Sequence, residues 1–144
     1  MTDDTNFIPM TIVRRRELTS QITEFTLGSI DGQLLPSYAA GAHVTVETPS
    51  GAMRRYSLVS SGDQPREYVI AVKREMQSRG GSCSMHDDAI EGFELRVLPP
   101  ENNFELKRAG RHLLIAGGIG ITPIYAMASQ LAAADKEFQI VYCS

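Results

Sequence analysis

Apolar and polar residues alternate along most of the chain before residue 107, and this pattern is typical of half-buried β-strands. The alternation is clearest in residues 10–14 and 42–47, and β-branched and aromatic residues are frequent in residues 68–74. Turns rich in glycine and proline separate these segments. Several short strands at this spacing predict an antiparallel β-barrel, with one short helix near residues 82–90.

The pattern changes after Lys107-Arg108-Ala109-Gly110, which we interpret as a hinge. An apolar run at residues 113–116 leads into a glycine turn and then an amphipathic helix, for which Thr122 is the expected N-cap and Pro123 the first residue. The apolar face of this helix carries Ile124, Met127, Ala128 and Leu131. A second buried strand is predicted at residues 138–142. The fold class is therefore mainly β, with a barrel followed by the first β-α-β unit of a parallel α/β domain.

The composition narrows the possible partners and location. A net charge of −3 and a pI near 5.6 argue against non-specific nucleic-acid binding. No apolar run approaches the roughly 20 residues that cross a bilayer, and the N-terminus lacks the shape of a signal peptide. We expect a cytoplasmic protein that binds neither membrane nor nucleic acid. The two cysteines, Cys83 and Cys143, and the scattered histidines lack metal-ligand spacing, so we expect free thiols and no metal site.

The sequence Arg54-Arg55-Tyr56-Ser57-Leu58 is the first candidate for chemistry. Side chains alternate between the two faces of a strand, so Arg54 and Tyr56 share one face. An arginine and a tyrosine placed in this way can bind a phosphate and stack on an aromatic ring.

Two glycine-containing turns are the next candidates. Gly80-Gly81-Ser82 precedes the short helix, where glycine allows close backbone approach, Ser82 can cap the helix, and free amides can face a phosphate. Arg54, Lys73 or Arg79 can supply balancing charge, whereas a flexible turn is the alternative interpretation. The second turn lies where dinucleotide pyrophosphates bind in strand–helix–strand units. Its candidate residues are Gly117, Gly118, Gly120 and Thr122.

With these motifs in this order, the chain resembles the ferredoxin-reductase-like flavoproteins. It resembles in particular the reductase components of Rieske-type oxygenases, the group of phthalate dioxygenase reductase and vanillate demethylase reductase. The resemblance covers about residues 10–144. It implies an enzyme, an NAD(P)H-dependent flavoprotein oxidoreductase that passes electrons from NAD(P)H through FMN and a 2Fe–2S centre to a Rieske-type oxygenase.

The resemblance also implies roles for individual residues. Arg54 would contact the flavin phosphate, Tyr56 would pack on the isoalloxazine ring beside Leu58, and Ser57 would hydrogen-bond near N5, so that Tyr56 and Ser57 tune the flavin without being catalytic residues. The next strand would line the ring and ribityl chain with Ala71, Val72 and Lys73. Amides that would bind the phosphate belong to Gly80, Gly81 and Ser82. Residues expected between flavin and nicotinamide are Gly117, Gly118, Gly120 and Thr122.

The same resemblance divides the chain into an FMN-binding barrel at residues 1–107 and the start of an NAD(P)-binding domain at residues 108–144. The short path from Lys73 to Gly80 resembles members that use FMN, so FAD is less expected. A plant-type 2Fe–2S centre needs four thiolates, and we expect it in a missing C-terminal part of a longer protein. We also expect the isolated chain to associate through residues 113–142. Two alternatives stay open, a non-catalytic flavin- or partner-binding barrel and a standalone flavin reductase.

Overall fold

The computed structural model describes residues 6–59, 62–76 and 80–143. The strands are β1 (Ile8–Glu17), β2 (Ile22–Ser29), β3 (His43–Glu47), β4 (Met53–Ser57), β5 (Glu67–Lys73), β6 (Glu94–Val97), β7 (Arg111–Gly117) and β8 (Glu137–Cys143). The helices are α1 (Gly81–Asp88) and α2 (Ile121–Ala133), and a 3-10 turn at Gly118–Gly120 precedes α2. The strands predicted from alternation and both predicted helices are therefore present.

The first six strands form one antiparallel sheet in the order β4-β3-β6-β1-β2-β5. The sheet curls until its two end strands approach each other at the Leu58–Ile70 bridge. A backbone hydrogen bond of 2.9 Å from Val59 N to Val69 O extends this closure. A register shift between Ile12 and Arg14 marks an irregularity in β1 that adds local bend and twist. The predicted antiparallel barrel is confirmed.

Alternate residues of the strands fill the barrel. Phe25 and Leu27 of β2, Val44 and Val46 of β3 and Val72 of β5 are all fully buried. Burial of such side chains contributes about 1.5–3 kcal/mol each to stability, so the barrel has a core of its own. Helix α1 covers one end of this core with Met85, which is also fully buried.

The second unit consists of β7, α2 and β8, with β7 and β8 paired in parallel. Helix α2 packs on one face of this pair, where Leu114 and Ala116 are buried. On the other face Leu113 and Ile115 are 60% and 61% exposed. The predicted second strand is present as β8, but the prediction that it is buried was wrong. Its residues are mostly exposed because α2 covers only one face of the pair.

The two units contact each other through a loop of the barrel and helix α2. Ala40 is 1% exposed and belongs to the apolar cluster of the second unit. Its backbone N–H donates to Oε1 of Gln130 at 3.1 Å. Residues 107–110 connect the units without helix or strand. Within the described ranges, no helix has the length and apolar character needed to span a membrane.

Candidate functional site

A cleft of about 330 Å³ lies where β4, β5 and α1 meet the turn that leads into α2. Its volume falls within the range of about 300–1,000 Å³ that is usual for small-molecule sites. Predicted residues that line it are Arg54, Tyr56, Ser57, Ala71, Lys73, Ser82, Gly120 and Thr122. A larger cleft of about 420 Å³ at the start of β7 contains none of the predicted residues, so its size alone does not make it the site.

The remaining predicted residues lie beside the cleft or beneath it. Val72 is fully buried in the barrel core, because strand alternation turns its side chain away from Ala71 and Lys73. Leu58, one residue beyond the end of β4, is also fully buried there. Their side chains therefore do not line the cleft. Four predicted glycines flank the lining residues but do not themselves line the cleft, namely Gly80, Gly81, Gly117 and Gly118.

Strand β4 supplies adjacent residues from both of its faces. Arg54 and Tyr56 are half-buried, as is Ser57, whereas Arg55 is exposed. Because β4 is an end strand of the sheet, side chains from both faces reach the cleft. Sequence reasoning placed Arg54 and Tyr56 together but did not foresee that Arg55 lines the same space.

Arg54 packs closely on the start of helix α1. A Cβ atom built on Gly81 would lie 2.8 Å from Arg54 Nε and 2.9 Å from Arg54 Cγ. Real side chains do not tolerate such contacts, so glycine at position 81 is what allows the arginine to lie there. The guanidinium also donates from Nη1 to the carbonyl of Met53 at 2.9 Å. The arginine is thus held at the N-terminus of a helix, beside Lys73 in the lining of the same cleft.

Helix α1 begins with a left-handed residue and not with the predicted serine cap. Its N-cap is Gly80, at φ 89°, with no side-chain cap. Ser82 lies one residue inside the helix, where its hydroxyl accepts the N–H of Glu75 at 2.8 Å. The prediction that Ser82 caps the helix was wrong, because that hydroxyl faces the end of β5. Amides of the first helical turn still point out of the N-terminus, where they attract anions. Arg79, the third predicted source of charge, lies outside the described residues.

Tyr56 presents a half-buried ring to the cleft. Its hydroxyl oxygen is buried and has no hydrogen-bond partner among the described residues. Burial raises the pKa of Tyr56 to about 12, and the positive charge of Arg54 offsets part of that rise. The phenol is therefore neutral at ordinary pH.

The turn before α2 also differs from its prediction. The 3-10 turn leads directly into the helix, so the N-cap is Gly120 and Thr122 is already helical. The threonine hydroxyl donates instead to the carbonyl of Ile119 at 3.2 Å. A Cβ on Gly118 or Gly120 would meet no atom within 4 Å, so this side of the cleft is open.

The lining includes residues that sequence reasoning missed, namely Arg55, Glu75, Ile119 and Pro123. Glu75 continues the alternation of Ala71 and Lys73 beyond the end of β5, and this spacing was an available signal. Ile119 and Pro123 flank residues that were predicted. Glu75 places a carboxylate in a cleft that otherwise carries cations, which limits how much negative charge a ligand can bring near it.

Comparisons with known proteins place these features in context. No protein-family model matches the chain. The chain is 43% identical over 143 residues to the phthalate 4,5-dioxygenase oxygenase reductase subunit of Pseudomonas putida, covering 98% of this chain and 44% of that protein. It is 44% identical over 138 residues to a vanillate O-demethylase oxidoreductase of the same species, covering 95% and 43% respectively.

A solved structure supports the same relationship. Phthalate dioxygenase reductase, described as a modular structure for electron transfer from pyridine nucleotides to a 2Fe–2S centre, superposes with a TM-score of 0.92. The sequences are 42% identical, and the match covers 96% of this chain and 44% of that one. The chain therefore spans less than half the length of the relatives that it matches.

Proposed function

We propose that this chain, a homologue of the ferredoxin-reductase-like oxygenase reductases, binds flavin in the cleft and belongs to an NAD(P)H-dependent oxidoreductase. Its named homologues are oxidoreductases, including reductase components of oxygenases. One observation supports the proposal most strongly. The cleft joins a cation fitted against a helix N-terminus, a neutral buried phenol, and an open glycine turn from a second unit.

The residues present fit a flavin phosphate at one end of the cleft. Arg54 is fitted against Gly81, and Lys73 lies in the same lining, so two cations adjoin the first amides of α1. Charge-assisted hydrogen bonds of this kind are about twice as strong as neutral ones. We assign Arg54, Lys73 and the amides of Gly81 and Ser82 to the phosphate.

The middle of the cleft fits an aromatic ring system. Ala71 of β5 and the ring of Tyr56 both line the cleft. The Tyr56 hydroxyl has no hydrogen-bond partner among the described residues. We assign Tyr56 to packing against the isoalloxazine ring and Ser57 to a hydrogen bond near N5. When bound, a flavin supplies hydride acceptance and single-electron transfer, and the protein supplies binding and orientation.

The open turn before α2 fits the nicotinamide nucleotide. Gly120 and Thr122 line the cleft together with residues of β4 and β5, and no atom would crowd a Cβ at Gly118 or Gly120. We assign these residues, with Gly117, to the space between flavin and nicotinamide. The domain division that follows is a flavin-binding barrel at residues 1–107 and the start of a nucleotide-binding domain at residues 108–144.

FMN is the flavin that we propose. The chain passes from Lys73 at the end of β5 to Gly80 before α1 in a short segment, which leaves little room for residues that hold an adenine. For the whole protein we propose electron transfer from NAD(P)H through FMN and a 2Fe–2S centre to a Rieske-type oxygenase. The names of the similar proteins support this direction of transfer.

The experiment that tests the proposal is an absorbance spectrum of the purified chain before and after addition of FMN. Heat release and chromatography then identify the bound flavin. We expect one FMN per chain in the wild type. The Arg54→Ala variant should lose this FMN, whereas Arg14→Ala, which changes an exposed arginine of β1, should retain it. FAD as the released flavin would overturn the FMN assignment, and no binding of any flavin would overturn the function. If neither NADH nor NADPH reduces the bound flavin, even in a chain that includes the whole nucleotide-binding domain, the interpretation as a non-catalytic binding module is favoured.

A further inference from the structure

Helix α1, which supplies the proposed phosphate amides, has an unusual buried face. The only buried apolar side chains on that face are those of Met85 and of Ala89, the residue just after the helix. The other buried side chains are polar, those of Ser82, Ser84 and His86, which are 6%, 7% and 7% exposed. Since apolar contact has little direction, the orientation of such a helix depends on its polar contacts.

His86 contacts the barrel through both nitrogens of its ring. Its Nε2 lies 2.8 Å from the carbonyl oxygen of Val72 in β5, and its Nδ1 lies 3.4 Å from the hydroxyl of Thr23 in β2. A carbonyl only accepts, so Nε2 carries the hydrogen and donates it. In the neutral ring Nδ1 then accepts from Thr23. One side chain thus ties the helix to two strands of the barrel.

Ser82 lies one helical turn before His86 on the same side of α1. Its hydroxyl accepts from the N–H of Glu75, so the two residues hold the chain at Val72 in β5 and at Glu75, two residues beyond the end of that strand. Lys73, which lines the cleft, lies between these two points. The pair therefore fixes the helix relative to the strand segment that carries a cation of the site.

The C-terminal end of α1 is held separately. Arg15 of β1 donates to the carbonyl oxygens of His86 and of Ala89, the latter at 3.0 Å. Asp87 pairs with Arg74 at 2.6 Å on the exposed side. Besides these contacts near the two ends of the helix, the ring of His86 adds a contact with β5. At the N-terminus, Arg54 packs directly against Gly81.

We propose that His86 is a positioning residue for the phosphate end of the flavin site. Its hydrogen bond to Val72 orients α1 so that the first amides and Arg54 converge on one anion. His86 does not itself contact the flavin. The inference rests on the proposed flavin site and names a residue that gives this site its preference for a phosphorylated ligand.

The test compares FMN with riboflavin, which lacks the phosphate, by fluorescence titration of the intact chain. His86→Leu keeps the size of the side chain and removes both hydrogen bonds. We expect about a tenfold loss of FMN affinity with riboflavin affinity unchanged, the effect of one lost hydrogen bond on phosphate placement. His86→Gln keeps a donor that can reach Val72 O and should restore most of the preference. Asp88→Asn, an exposed change on the same helix, is the control.

Several outcomes would overturn the inference. If His86→Leu keeps the wild-type ratio of FMN to riboflavin affinity, His86 does not position the phosphate site. If both affinities fall together, its role is general stability. Should the leucine variant fail to fold, His86→Asn, whose amide is too short to reach Val72, replaces it in the same comparison. A wild-type chain that binds both flavins equally would instead refute the phosphate site of the proposed function.

Discussion

Two glycine turns border the same cleft, and the structure uses glycine differently in each. At the start of α1 a Cβ on Gly81 would lie 2.8 Å from Arg54, so the space that glycine leaves is filled by the protein's own side chain. At the start of α2 a Cβ on Gly120 would meet nothing within 4 Å. Their sequences alone do not separate these cases, since both turns connect a strand to a helix.

The difference indicates which half of the site is already assembled. The first turn brings a cation and helix amides together before any ligand binds, and preorganised contacts of this kind favour affinity. The second turn leaves an open surface that a ligand can approach. We therefore expect changes at the first turn to reduce flavin affinity and changes at the second turn to act on later steps.

The sharpest test of this comparison is Gly81→Ala against Gly120→Ala. The new methyl group at position 81 must displace Arg54, so overpacking adds to the loss of a charged contact. We expect about 3 kcal/mol loss of FMN binding. Gly120 has φ −60°, which alanine adopts easily, so its variant should bind FMN normally. Equal FMN affinities in the two variants, measured by equilibrium titration, would refute the distinction.

The next test removes the cation and keeps the glycine. Arg54→Ala should weaken FMN binding by about 1.5–3 kcal/mol, the scale of a hydrogen bond to a charged group. Riboflavin binding should change little, because the arginine is assigned to the phosphate. Isothermal titration with both flavins measures the effect, and Arg14→Ala serves as the control. An unchanged FMN affinity would remove Arg54 from the first turn.

Tyr56 follows Arg54 on β4 and gives a test by pH. Its pKa is raised from 10.0 to about 12, mainly by burial. The unfolded chain therefore ionises first, and the contribution of Tyr56 to stability is present below pH 10 and lost between pH 10 and 12. We expect the wild type to lose about 2 kcal/mol more than Tyr56→Phe across that interval, as measured by urea denaturation.

Burial also raises the pKa of Tyr68, so the phenylalanine variant should retain part of the alkaline loss. Identical pH dependence of wild type and Tyr56→Phe would show that Tyr56 is solvated in solution. That result would contradict the placement of a buried, neutral phenol beside the cleft.

Ser57 should give the smallest effect on affinity. Ser57 lines the cleft, and we assign it to the flavin ring and not to the phosphate. Ser57→Ala should therefore shift the midpoint potential of bound FMN while changing its affinity by less than about 1.5 kcal/mol, the upper value for one neutral hydrogen bond. Potentiometric and binding titrations measure both quantities. A large affinity loss with no change in potential would contradict the assigned role.

Much of the fold follows from local patterns in the sequence. Alternation at residues 42–47 predicted β3, the β-branched and aromatic residues at 68–74 predicted β5, and the apolar spacing that includes Ile124 and Leu131 predicted α2. These patterns are reliable because strand and helix periods depend on neighbouring residues only. The two cap predictions failed at Ser82 and Thr122. Each hydroxyl found a different partner, Glu75 N in one case and Ile119 O in the other.

The amino-acid sequence by itself thus determined the elements, their order and the residue types that meet at the cleft. Only the tertiary structure decided that Gly81 receives Arg54, that Leu58 turns into the core, and that His86 ties α1 to the barrel. These contacts join residues far apart in the chain. They depend on how strongly the sheet curls and where its end strands approach each other, and no local period carries that information.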